Sequence, residues 1–127
     1  MFEGLEIFQM AQQMARHAAV QQGVTSRNVA HADTPDYRAR EVAAFAESYA
    51  TPSEQPLRRT RAEHFGGDAV QGFPVRIARS PQTANPNGNT VSLELEMQRA
   101  TEARMQHDQA LSIYRSATNL WRTSLGR

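Results

Sequence analysis

The sequence predicts a mainly α protein. Long N-terminal and C-terminal helices pair as a coiled-coil-like hairpin, with an extended, irregular middle segment containing little β. Three observations carry this. Apolar residues recur at helical spacing over residues 3–31. They recur in alternating four- and three-residue steps over 92–126, which is a heptad seam. The stretch between, 38–91, holds five of the six prolines and four of the seven glycines, and those residues break regular structure. The chain of 127 residues reads as one unit, divided into an N-terminal helix within 1–33, a middle segment 34–91 and a C-terminal helix 92–126.

The first helix places Leu5, Phe8, Ala11 and Ala15 on one face, with Ile7, Met10, Met14 and Ala18 beside them. Glu3 and Glu6 come early and Arg16 and Arg27 late, an order that complements the helix dipole. Gly23 weakens the interior by about 1 kcal/mol relative to alanine, so a kink or fray is expected there. Pro35 ends the run, because the residue before a proline avoids the α region.

The second helix starts at Ser92, a good N-cap, with Glu94 in the first turn. One stripe runs Leu93, Met97, Ala100, Arg104, His107, Leu111, Tyr114, Thr118, Trp121, Leu125. Beside it lie Ala103, Ala110, Ile113, Ala117 and Leu120. Gly126 suits the C-terminal stop. At 1.5 Å per residue this helix is about 50 Å long, more than a compact domain of this mass needs. Leu5, Phe8, Met14, Leu93, Met97, Leu111, Tyr114, Leu120, Trp121 and Leu125 are the expected packing residues, within the helix pair or between copies. Such a hairpin buries little and gains stability in a bundle of several copies.

In the middle segment, Phe73–Ala78 and, more weakly, Ala69–Gln71 read as strands, and Asn87-Gly88 reads as a turn. A stretch this irregular is expected to order mainly on assembly.

Composition removes several function classes. The chain has no cysteine, which excludes disulfides, thiolate metal sites and cysteine nucleophiles. Net charge is +1, and all 14 basic residues are arginine, so no bulk field favours nucleic acid or an anionic membrane. No stretch reaches the roughly 20 apolar residues of a membrane span. The acidic start, without an apolar run after it, argues against a cleaved signal peptide.

No constellation supports an enzyme. His107 and Asp108 are neighbours on a helix and point about 100° apart. His17 and His107 could face each other across the helix pair, but each reads better as a solvated or packed histidine. His31 to Asp36 lacks the ligand count of a metal site. No phosphate loop or nucleophile elbow occurs, so no cofactor and no small-molecule substrate is expected. The cluster Leu57-Arg58-Arg59-Thr60-Arg61 reads as a solvated loop; a nucleic-acid-binding helical module is a rival reading that this one short cluster barely supports.

The sharpest feature is Asn28-Val29-Ala30-His31-Ala32-Asp33-Thr34-Pro35-Asp36-Tyr37-Arg38. It reads as a helix exit into a proline-initiated turn and then an extended arm. With Pro35 at the second position and Asp36 at the third, a type I turn is expected. This string resembles the signature of the rod/hook axial protein family of the bacterial flagellum. Asn28, Val29, Ala30, Thr34, Pro35 and Tyr37 carry the match. His31 stands where that signature has Asn, and Asp36 where it has Gly. Arg38-Ala39-Arg40-Glu41 with Phe45, then Leu57, Arg58, Thr60, His64 and Phe65, then Gly88-Asn89-Thr90-Val91-Ser92-Leu93-Glu94 with Met97, are similar to the proximal rod type; another rod protein of the same axial family is the rival, and the Thr60–His64 element weighs against it.

The resemblance implies a structural subunit of the flagellar basal body that is exported unfolded through the type III apparatus. It implies helical polymerisation as the proximal rod in the periplasm, passing torque from the membrane ring to the distal rod and hook around an export conduit. The implied partners are other copies, the other proximal and distal rod proteins, the rod adaptor protein, the membrane ring and the export gate. Asn28 to Tyr37 would serve assembly, and Arg58, Thr60, His64 and Phe65 would make middle-segment contacts.

Overall fold

A computed structural model describes residues 2–50, 73–78 and 84–126. Helix α1 spans Phe2–Ala30, strand β1 Arg40–Val42, helix α2 Phe45–Ala50, strand β2 Val75–Ile77 and helix α3 Leu93–Ser124. The fold is mainly helical, and α1 and α3 pack along each other as an antiparallel pair. Arg58, Thr60, His64, Phe65 and the weaker strand at 69–71 lie outside the described residues.

The seam of the pair is made of small side chains. On α1, Ala11, Ala18 and Thr25 are buried; on α3, Glu96, Ala103, Ala110 and Ala117 are buried. Each series repeats every seven residues, so both helices present one column to each other. Alanine knobs let two helices approach closely, but each contributes only about 0.8 kcal/mol of burial. The buried column therefore lies beside the stripe that the larger side chains mark in the sequence. Leu93 and Met97 are exposed at 53% and 70%, and Leu120 and Leu125 at 70% and 71%. The physical reason is that a two-helix contact has one narrow face, and alanine gives it the shortest separation.

Larger groups close the seam at its upper end. The Phe8 ring meets Tyr114 at 5.1 Å and Trp121 at 6.1 Å, both edge-on. Gly4 makes this possible, because a Cβ there would stand 2.6 Å from Trp121 Nε1. The expected kink at Gly23 does not occur; α1 runs through it to Ala30. Ser92 is the N-cap residue of α3 as expected, but its side chain makes no capping bond, and only its carbonyl accepts from Glu96 N–H. At the other end Gly126 takes φ 70° and donates to the Thr123 carbonyl, a left-handed stop of the kind glycine allows.

The middle segment holds more order than its composition suggests. β1 and β2 pair antiparallel, with Arg40 opposite Ile77, Glu41 opposite Arg76 and Val42 opposite Val75. β2 falls within the expected strand at 73–78. β1 and α2 were not anticipated. Their runs are three and six residues long, too short for a periodicity to be read. In the described residues β1 packs on α1 and pairs with β2, and the lead-in to α3 bonds the hairpin tip. Side chains of α1 and of the lead-in to α3 complete the backbone hydrogen bonds of the arm and tip.

Candidate functional site: the signature clasp and the open helix faces

The signature string forms the hairpin tip, and its first residue is the centre of a clasp. Asn28 is fully buried. Its side-chain N–H donates to the Arg40 carbonyl at 2.7 Å. Its Oδ1 accepts from Arg40 N–H at 3.0 Å and from the Tyr37 hydroxyl at 3.1 Å. Asn28 therefore pairs with the Arg40 backbone in both directions, as a neighbouring strand would. This fixes where the chain turns away from α1 and starts β1.

A second buried asparagine completes the clasp from the other motif. Asn89 donates through its amide to the carbonyls of His31, Ala32 and Thr34, each at 2.8 Å. Two hydrogens serve three carbonyls, so one is shared. Its Oδ1 accepts from Val91 N–H at 2.8 Å. A residue from the lead-in to α3 thus binds three carbonyls just past the end of α1; those of His31 and Thr34 also accept from the backbone N–H groups of Thr34 and Tyr37. Thr90 adds two bonds: its N–H donates to the Tyr37 carbonyl, and its hydroxyl accepts from Ala39 N–H. The two strings that carry the family resemblance, about sixty residues apart, are the two halves of one structure.

The turn differs from the expected type I. Thr34 O accepts from Tyr37 N–H at 3.4 Å, with Pro35 second and Asp36 third, but Asp36 takes φ 58°. A positive φ at the third position belongs to type II, which favours glycine. The family's glycine at this place and this geometry agree. Asp36 holds the conformation because its N–H donates to the Asn87 carbonyl and Gly88, at φ 82°, leaves room for its carboxylate. A Cβ on Gly88 would collide with Asp36 Oδ1. His31 stacks on Tyr37 at 4.7 Å and 15°, and its Nδ1 lies 3.2 Å from the Thr34 hydroxyl.

The other signature residues point outward: Val29 is 44% exposed, and Ala30, Thr34 and Pro35 are exposed. Asn28 and Tyr37 build the clasp from within. Leu5, Leu111 and Tyr114 are at the helix-pair surface, and Phe8 and Met14 are half-buried.

Two groups hold the arm higher up, and the sequence alone did not single them out as a site. His17 is buried; its Nε2–H donates to the Ala43 carbonyl at 2.7 Å, and its Nδ1 lies 3.2 Å from Gln106 Oε1. Phe45 and Phe73 pack edge-on around the ring. A chain of alternating charge runs from Arg76 to Glu41 (3.1 Å), Glu41 to Arg99 (3.4 Å) and Arg99 to Glu96 (3.0 Å). It joins β2, β1 and α3. Glu96 is 1% exposed, and its Oε2 has no hydrogen-bond partner among the described residues. The alternation is invisible in the sequence, because Glu41 and Arg99 are 58 residues apart. His107 Nδ1 stands 4.0 Å from Asp108 Oδ1, with both side chains exposed. Among the described residues no three histidine, aspartate or glutamate side chains gather as a metal site. No described helix is long and apolar enough to cross a membrane.

This arrangement is suited to positioning and contact. The clasp sets the tip and arm rigidly, and the helix pair exposes apolar columns. Similar proteins have one name. The flagellar basal body rod protein FlgB of Agrobacterium fabrum is 31% identical over 119 residues, covering 88% of this chain and 87% of that protein. Proteins of the same name from two Cereibacter sphaeroides strains are 34% and 33% identical over 88 residues, covering 68% of this chain and 67% of each. No protein-family model matches the chain. Identity at this level across nearly the whole length, with the signature forming the clasp, makes the chain a member of the FlgB family of flagellar basal body rod proteins.

Proposed function

We propose that the chain is a structural subunit of the proximal rod, that residues 1–127 act as one rod unit, and that it has no catalytic role. It polymerises helically in the periplasm. It helps transmit torque from the membrane ring to the distal rod and hook, and it forms part of the export conduit. It reaches that place through the type III export gate. Its neighbours are other copies, the other proximal and distal rod proteins, the rod adaptor protein and the membrane ring.

One observation carries this reading. The helix pair is joined by alanines, while its larger apolar side chains, Leu93, Met97, Leu120 and Leu125, stand exposed at 53–71%. A soluble monomer gains nothing from such a surface, whereas a polymer subunit completes its core with neighbours. Val29, Ala30, Thr34 and Pro35 offer a further outward face at the tip. The test is deletion of the gene, followed by a motility assay and imaging of isolated basal bodies. Loss of motility with rods missing above the membrane ring is expected. Intact rods would overturn the assignment.

A further inference from the structure

One side of the helix pair carries a continuous groove. Its upper part is apolar, lined by Leu5 and Phe8 of α1 and Leu111 and Tyr114 of α3, with a volume of about 500 Å³. Its lower part, of similar size, is lined by the small Ala18, Ala19 and Ala100 with the polar Gln22, Thr101 and Arg104. No described segment lies over it. The opposite side carries the arm through His17 and Asn28. Along the groove edge of α3 the column Met97, Arg104, Leu111 repeats by heptads, so exposed Met97 stands on the same face two heptads below Leu111.

We propose that the groove receives the Met97 end of a second copy, shifted along the helix axis by two heptads, about 21 Å. The inference rests on the rod reading above. Two independent features agree on this shift. It carries Met97 of one copy to the level of Leu111, in the apolar part of the groove on the next. It also carries the hairpin tip of the incoming copy to the level of Arg104. That tip exposes Asp33 and Asp36, and it lies just below the start of α3 because Asn89 binds its carbonyls. Apolar thus meets apolar, and acid meets base, at one displacement. The contact joins two different patches, so it does not close on itself and continues as a helical array.

The absence of cysteine makes a direct test available. Basal bodies are isolated from cells carrying Met97→Cys with Leu111→Cys, or Met97→Cys with Gln12→Cys, which tests the same level from α1. Mild oxidation is expected to give disulfide-linked dimers and larger species with both pairs and none with the single variants. Met97→Cys with Leu125→Cys, which tests a shift of four heptads, is expected to stay monomeric. In a second arm, Asp33→Arg removes the chain from rods and Arg104→Asp added to it restores incorporation. Crosslinking by the Leu125 pair alone, or absence of links with the chain present in rods, would overturn the two-heptad contact and leave the rod reading standing. Rods that lack the chain even as wild type would overturn the rod reading itself.

Discussion

Asn28 and Asn89 show why a polar residue can be the most constrained position in a chain. Each is buried, and each hydrogen-bonds mainly to backbone groups of a segment distant from it in the fold. Asn28→Ala leaves the Arg40 N–H and carbonyl unpaired in a buried place. It is expected to cost on the order of 3 kcal/mol, read as a lower urea midpoint at unchanged slope. Asn89→Ala removes a donor shared by three carbonyls, two of which keep a backbone partner, and is expected to cost about 2 kcal/mol, with lost amide protection at residues 31–37 in hydrogen exchange. Asp36 supplies the converse case. A non-glycine residue at φ 58° bears a backbone penalty. Asp36→Gly is expected to be neutral or stabilising by up to about 1 kcal/mol, while Gly88→Ala, which meets the Asp36 carboxylate, destabilises by about 2 kcal/mol. Thermal denaturation of the two variants reads both signs.

Among the elements, the helix pair separates burial from size. Ala110 is 1% exposed and Leu120 is 70% exposed. Ala110→Leu forces the helices apart and is expected to cost about 1–3 kcal/mol. Leu120→Ala changes a surface residue and is expected to shift stability of the isolated chain by less than about 0.5 kcal/mol. A substitution table based on hydrophobicity alone would rank the two the other way, so denaturation of both variants decides the point. The arm depends on charge. Arg99→Met leaves Glu96 buried without its cation, expected to cost on the order of 3 kcal/mol and to loosen β1 and β2 together. Hydrogen exchange at Glu41 and Arg76 measures that release.

At the scale of the whole molecule, the subunit works by leaving its apolar surface unfinished. Met97→Glu is expected to leave the melting temperature of the monomer nearly unchanged and to abolish motility. A fall in melting temperature comparable to that of Ala110→Leu would instead place Met97 in the chain's own core. The helix pair, its length and its ends were legible in the sequence, because heptad spacing and terminal signals act within a few residues. The string from Asn28 to Tyr37 was legible as a resemblance, and so was Gly88-Asn89-Thr90, but not that the two touch. What the sequence by itself determined was periodicity, punctuation and family. The tertiary structure alone decided which of two adjacent columns faces the partner helix, why Asp36 takes a glycine conformation, and how Glu41 finds Arg99. Local spacing names a face of a helix, but choosing among faces and closing long loops depends on contacts between residues far apart in the chain.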